Sequence, residues 1–230
     1  MEDIRRRQLI DATIDTIHAV GFSHASVMAI SRRAGLSSGL VAHYFKDKDG
    51  LLEATLRHIS NQLSRDFIHR IKQARTPRAR LQAIIAANLG AEQFDARTTE
   101  AWLAFWGQAP HSPRLLRVQQ INERRLLSNL RFAAIQLLPR AEAEFLASAL
   151  AALIDGLYLR AALSGEPPNP ARAQQQVNQL LDLCLQALQP SPGETSPGKT
   201  SPGKTRDGAP LHAGKNTLRE QPVGPIPTKG

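Results

Sequence analysis

The sequence is short of the residues that several folding strategies and chemistries require. One cysteine, Cys184, stands among 230 residues. No intrachain disulfide can form, which suits a reducing compartment. Cys184 sits in the apolar run LLDLCLQAL, where a free thiol serves as a small buried hydrophobe. Aromatics make up only 5% of the chain, so the core must be built mainly from Leu, Ile and Ala. Leu and Ala favour helix, β-branched residues are thin, and no stretch alternates apolar and polar over a strand's length. The expected fold class is all-α. There is no Gly-rich phosphate loop, no HExxH and no paired-cysteine spacing, and the seven histidines are scattered. The expectation is therefore no metal, no cofactor and no enzyme, although a site assembled only in three dimensions leaves no such trace. The most apolar span, residues 147–163, is interrupted by Asp155 and Arg160, so no membrane helix is expected. The N-terminus, MEDIRRRQLIDAT, has no apolar signal-peptide core. A cytoplasmic protein follows, nucleoid-associated if it binds DNA.

Positive charge is in excess: the formal net charge is +9, which attracts polyanions of any kind. Its distribution is less telling. Residues 1–63 hold eight Lys/Arg against seven Asp/Glu, residues 64–188 fifteen against ten, and residues 189–230 six against three. Net charge does not locate a nucleic-acid site here. Individual residues must.

Helix signals run through the first 188 positions. Ile10, Ile14 and Ile17 form one apolar stripe on a first helix from about residue 3 to 20, which Gly21 stops. Ser26 is an N-cap for a short helix over 27–34, ended by Gly35. Ser37 is expected to cap a third, through about Phe45, and Asp47 a long fourth from about 48 to 75. Thr76-Pro77, Ser112-Pro113 and Asn169-Pro170 each pair a capping residue with proline at the first helical position. Asp95 caps a helix carrying Trp102, Phe105 and Trp106 and ending near Pro110; Pro139 opens another that stops at Ser164-Gly165. About nine helices are predicted. After Pro190 the composition changes: SPGET, SPGKT and SPGKT repeat, and the remainder is rich in Pro, Gly and Lys. Such a segment buries too little to offset its ordering entropy, so 189–230 is expected to be disordered, either a loose basic arm or a solvated appendage.

Residues 26–45 have helix-turn-helix spacing. Val27, Ile30 and Ala34 face inward and can meet Leu36, Val41 and Phe45. Ser38, Gly39 and Ala42 then lie opposite, small enough to bring the helix close to base edges, and Leu40 can touch a thymine methyl. Ser26, Ser37, His43, Tyr44, Lys46 and Lys48 are the candidate phosphate partners, which set register rather than sequence. Arg5, Arg6 and Arg7 add local positive charge. By spacing alone two readings stand, because short helix–Gly–short helix units also occur in proteins with no DNA role.

The residues themselves resemble a known family. Residues 4–57 are similar to the N-terminal domain of the TetR family of repressors, at Ile10, Ala12, Gly21-Phe22, Ser26-Val27, Ile30, the run Ala34-Gly35-Leu36-Ser37, Gly39, Tyr44-Phe45, Lys48 and Leu51-Leu52. Ala42 departs from the pattern, standing where many members carry a tyrosine that reaches DNA. Further blocks, IRRRQLIDAT, HYFKDK, GLLEAT, EAWLAFW, RLLSNL and AALIDGLYLRAALSG, resemble one subgroup, the choline-responsive repressors of glycine betaine synthesis genes. The similarity covers residues 2–188 and leaves out the tail. It implies three regions: 1–63 for double-stranded operator DNA, 64–188 for effector binding and dimerisation, and the tail 189–230. It also implies a homodimer with two recognition helices about 34–36 Å apart, and choline or another small molecule as effector.

A quaternary ammonium cannot donate a hydrogen bond and is met by aromatic faces. Trp102, Phe105 and Trp106, at i, i+3 and i+4, are candidates for that surface, with Tyr158 and Asp155 from a later helix. The alternative is that these aromatics are simply core, and Asp155 a buried structural carboxylate. The helices near 140–163 and 170–188 are the expected dimer pair. A charge-driven architectural protein remains a rival class; it would bind any duplex alike, where a repressor prefers its operator by about a thousandfold or more.

Overall fold

Local capping chemistry sets most of the helix boundaries. The computed structural model describes residues 1–188; the tail from 189 onward, with its expected disorder, lies outside them. Among the described residues there are nine α-helices and no strand: α1 (Glu2–Val20), α2 (Val27–Ala34), α3 (Gly39–Phe45), α4 (Lys48–Ile71), α5 (Pro77–Asn88), α6 (Ala96–Gln108), α7 (Pro113–Ala134), α8 (Arg140–Leu163) and α9 (Pro170–Leu188). Ser26, Asp47, Thr76, Asp95 and Ser112 each accept the amide of the residue three positions on, and Asn169 accepts that of Arg172. A cap of this kind contributes about 1 kcal/mol.

Two boundaries differ from the sequence reading. Ser37 does not cap α3. The N-cap is Ser38, with no side-chain bond, and Ser37 offers only its carbonyl, to the amide of Leu40 at 3.1 Å. α4 stops at Ile71 rather than near residue 75. The amides of Gln73 and Ala74 reach back three residues, to Arg70 and Ile71, and Thr76 is extended at φ −119°, ψ 156°. The chain has to unwind there because a residue before proline disfavours the α region.

α1, α2, α3 and the start of α4 close over Leu9, Ile10, Ile14, Ile17, Ile30, Val41, Phe45, Leu51 and Leu52. This cluster is continuous with the larger core through Ile59, Leu81, Ile85, Trp102, Leu130, Leu150 and Val177. Four buried hydroxyls cost little because each has a local acceptor: Thr13, Thr16, Thr55 and Ser60 all bond the carbonyl four residues back, at 2.6–2.8 Å. The described residues, 1–188, belong to one compact unit, and α4 runs straight through the boundary expected near residue 63.

α8 corrects another expectation. What it corrects is only the reason given for expecting no membrane helix: Asp155 and Arg160 leave the helix apolar, and by length and composition it is the one described helix that could cross a bilayer, with mean hydropathy 1.5 over an 18-residue window. It packs instead among α6, α7 and α9, with Leu146, Leu150, Ile154 and Tyr158 buried. A helix that is apolar on two sides has a second surface to account for.

Candidate DNA-reading surface and effector cavity

The helix-turn-helix is built from a cap, a left-handed glycine and two inward side chains. Ser26 Oγ accepts the Ala29 amide at 3.1 Å. Gly35 ends α2 in the left-handed region, φ 66°, ψ 29°, which glycine reaches without a Cβ penalty. Val41 and Phe45 pin α3 to the core. The opposite surface is open: Ser26, Ser37, Ser38, Gly39, Ala42, His43 and Lys46 are exposed, while Leu40, Tyr44 and Lys48 are half-buried. None of the candidate DNA residues is therefore buried.

The corner after α3 is tight. Lys46, at φ 76°, ψ −52°, is the one non-glycine residue with positive φ among the described residues. Asp47 then caps α4 through Gly50, 2.6 Å from its amide. A Cβ on Gly50 would lie 2.0 Å from the Phe45 carbonyl oxygen, so the first turn of α4 seats directly on the end of α3. Neighbouring groups hold the corner. The Arg6 guanidinium lies over the Phe45 ring, 4.9 Å from its centroid, and Lys48 lies 5.7 Å from that of Phe22. Arg114 of α7 donates to Asp47 at 3.2 Å. The Gly50 amide, more than the Arg114 guanidinium, holds the Asp47 carboxyl below its ordinary range. In the sequence Arg6 is legible only as charge, and its stacking role has no signal there. Met28, 74% exposed on α2, has none either.

The second site is a cavity of about 690 Å³ between α4, α5, α6, α7 and α8, a size typical of small-molecule sites. Trp102, Trp106, Tyr158 and Asp155 all line it. The Trp106 ring lies 6.1 Å from that of Trp102 and 5.8 Å from that of Tyr158. Hydrogen bonds fix two of these rings. Trp106 Nε1 donates to Gln119 Oε1 at 3.1 Å, and the Tyr158 hydroxyl donates to the Asn88 carbonyl at 2.6 Å. Burial pushes the Tyr158 hydroxyl far above its usual range, so this side chain presents a neutral ring. Asp155 lines the cavity and stays open to solvent on one side, with protein packed around the rest of its side chain. Burial, reinforced by Glu123 of α7, raises its carboxyl to about 6.

Phe105 is not in this wall. It is fully buried and packs edge-to-face on Phe22, with centroids 6.2 Å apart. On a 100° helical period, position i+3 falls 60° to one side of Trp102 and i+4 falls 40° to the other. That difference turns Phe105 toward Phe22, just beyond α1, and Trp106 toward the cavity. Conversely, Asn61, Ser64, Gln119, Asn122 and Glu123 line the cavity from α4 and α7. In the sequence they are ordinary polar positions on long helices, with no motif to mark them.

An open helix-turn-helix joined to an aromatic cavity is the layout of a ligand-responsive transcriptional regulator. Residues 9–55 match the model of the tetR family of bacterial regulatory proteins, and residues 77–186 that of the C-terminal region of BetI-type transcriptional repressors. The HTH-type transcriptional regulator BetI of Paraburkholderia xenovorans is 49% identical over 186 residues, 80% of this chain and 95% of the relative. That of Escherichia coli K12 is 50% identical over 175 residues, covering 75% and 90%. A putative transcriptional regulator from Pseudomonas aeruginosa superposes with TM-score 0.70 at 30% identity, over 81% of this chain and 92% of that one. A putative regulator from Saccharomonospora viridis, solved in complex with choline, shares the fold at TM-score 0.65 and 19% identity, over 77% and 95%. The chain belongs to the BetI-type branch of the TetR family of transcriptional repressors.

Proposed function

We infer that the chain represses genes of choline-to-glycine-betaine synthesis in the cytoplasm and is relieved by choline, a role in osmoprotection. Residues 1–63 hold operator DNA as one half of a homodimer, and residues 64–188 bind the effector and pair the subunits. The observation that carries the choline assignment is the cavity wall: three aromatic rings, of Trp102, Trp106 and Tyr158, beside the carboxylates of Asp155 and Glu123. Aromatic faces and negative charge together suit a cation that cannot donate a hydrogen bond. The names of the BetI relatives and the choline bound by the S. viridis protein support the same reading.

On the DNA side, Ser26, Ser37, His43, Tyr44, Lys46 and Lys48 bind phosphates, while Ser38, Gly39, Leu40 and Ala42 face base edges. With Ala42 offering only a methyl group, reading there depends on close approach. Effector and operator are coupled as a population shift: the free dimer favours the spacing that fits DNA, and choline binds better to a splayed form. The two forms must differ in effector affinity by several kcal/mol for strong release.

A labelled palindromic operator, challenged with bulk DNA and then titrated with choline, tests both halves. Preference for the palindrome with release by choline is the expected result. Equal competition by bulk DNA removes the repressor mechanism, and a complex indifferent to choline removes the effector. The cavity volume favours one second reading, a bulkier organic cation, since about 690 Å³ exceeds what choline fills. Larger tetraalkylammonium ions that bind more tightly than choline would select it.

A further inference from the structure

The effector cavity extends well beyond its aromatic end, and three contacts set the register of its walls. Arg131 of α7 pairs with Glu144 of α8. Glu123 of α7 repels the Asp155 carboxylate of α8. Trp106 joins Gln119 to Tyr158, with a hydrogen bond to the first and a ring contact to the second. Positions fall along α7 as they rise along α8, so these two helices run antiparallel. Asn122 donates to Ser60 Oγ at 2.8 Å and Arg114 to Asp47 at 3.2 Å, so α4 runs parallel to α7 along the same cavity.

This register grades the cavity from end to end. Gln119 and Tyr158 lie level at the aromatic end, and Glu123 and Asp155 follow. Arg125 comes next, level with Ala152, and then Asn129, level with Ser148; all four line the cavity. From Gln119 to Arg125 the helix rises about 9 Å. Exposure increases in the same direction: Tyr158 is buried, Asn129 is half-buried, and Arg125, Ser148 and Ala152 are exposed. The mouth therefore holds a guanidinium with an amide and a hydroxyl one turn further along. Arg125 forms no ion pair among the described residues. Glu123 does not neutralise it, because two positions turn a helix by about 200°.

A cation in the wall has no use for a ligand that is only a cation. An arginine fork with further donors nearby matches the oxygens of a phosphate. We propose that the mouth is an anion subsite and that the cavity takes a phosphate ester of choline, with its ammonium against the aromatic rings and its phosphate on Arg125, Asn129 and Ser148. In such an ester a two-carbon arm and an oxygen separate nitrogen from phosphorus. That separation and the length of an arginine side chain together span the rise between the two ends. In a betaine a single carbon separates the charges, and the carboxylate falls short of Arg125. The proposal rests on reading the aromatic end as a quaternary-ammonium site.

Calorimetric titrations of the full chain with choline, phosphorylcholine and glycine betaine test it. Phosphorylcholine is expected to bind about five- to tenfold more tightly than choline at low salt, an advantage that shrinks as salt rises. Glycine betaine gains nothing over choline. Arg125→Gln should abolish the advantage and leave choline affinity unchanged or higher, while Arg125→Lys keeps part of it. A merely structural arginine would instead lower both affinities together. Phosphorylcholine that binds no more tightly than choline overturns the subsite, as does an advantage that survives in Arg125→Gln. A gain for betaine that Arg125→Gln removes overturns the phosphate in favour of a carboxylate. If neither choline nor its ester binds, the quaternary-ammonium reading falls and takes the subsite with it; choline binding without its ester sinks the subsite alone.

Discussion

Arg97 of α6 forms an ion pair with Asp15 of α1 and also donates to the Asp11 carbonyl at 3.2 Å. His18 Nδ1 lies 2.8 Å from Glu100 Oε2 across the same interface. The helix that carries Trp102 and Trp106 into the cavity thus grips, on another face, the first helix of the DNA-reading unit.

That grip makes Arg97 a positioning residue for the response. Arg97→Ala should leave choline affinity and basal operator affinity within about threefold, because it touches neither ligand. The effector's power to release DNA should fall by about 1–2 kcal/mol of coupling free energy. Operator titrations with and without saturating choline measure the coupling directly. Unchanged coupling would mean that occupancy reaches α1 by another route.

Asp155 gives the cavity a pH dependence. Its carboxyl is raised to about 6, so the charged form is held against its environment. A bound cation favours that charged form and lowers the pKa again. Affinity for choline is then full above about pH 7 and declines as pH drops through 6, toward about tenfold per unit for one linked proton. For the effector-free protein the sign is opposite: the raised carboxyl weakens folding as pH rises from the ordinary carboxylate range through 6. Calorimetric titrations between pH 5 and 8 should show the decline in wild type and a flat, weaker profile in Asp155→Asn. A decline that persists in Asp155→Asn assigns it elsewhere.

Trp106 and Phe105 are neighbours in sequence with different work. Trp106→Ala should cost about 5- to 30-fold in choline affinity, given about 1–2 kcal/mol for a largely desolvated cation–π contact, with a smaller effect on stability. Phe105→Ala empties a fully buried site and should cost about 3–5 kcal/mol of stability, with effector affinity retained wherever the protein remains folded. Urea melts and choline titrations on the two variants separate the roles. The reverse pattern would exchange the two residues' assignments.

This pair also marks where the sequence stops being legible. Caps at Ser26, Asp47, Thr76, Asp95, Ser112 and Asn169 are readable because each is a bond within one turn. Which aromatic faces the cavity is not, because a rotation of 100° between adjacent positions decides it and only the packed neighbours fix the reference direction. Gln119, Asn122 and Glu123 are invisible for a related reason: a polar residue turned into a cavity has the same spacing as one turned to water. The second apolar face of α8 is partly readable as a surplus of Leu and Ala, but its opposition to the buried face needs the fold.

Gly50 stands in the sequence only as part of a block shared with the family. The 2.0 Å approach to the Phe45 carbonyl gives it a physical role. Gly50→Ala must push α4 off the end of α3, and the obstacle is backbone, which has no rotamer to yield. A loss of about 2–3 kcal/mol or more is expected, with operator binding lost before secondary structure. Circular dichroism paired with operator titration tests this. Wild-type operator affinity in Gly50→Ala would show that the corner can be rebuilt.

Lys46 separates conformation from charge in one position. Its φ of 76° is costly for a side chain and free for glycine, so Lys46→Gly should hold stability level or raise it by up to about 1 kcal/mol, the relief of strain offsetting the added chain entropy. If the exposed ammonium neutralises an operator phosphate, the same substitution must weaken DNA binding. It must also reduce the slope of log affinity against log salt by about 0.9, the change expected when one fewer phosphate is neutralised. Lys46→Arg keeps the charge and should keep the slope. Operator affinities measured from low to physiological salt decide the matter. A Lys46→Gly protein with an unchanged slope would assign Lys46 to closing the α3–α4 corner, with no part in holding DNA.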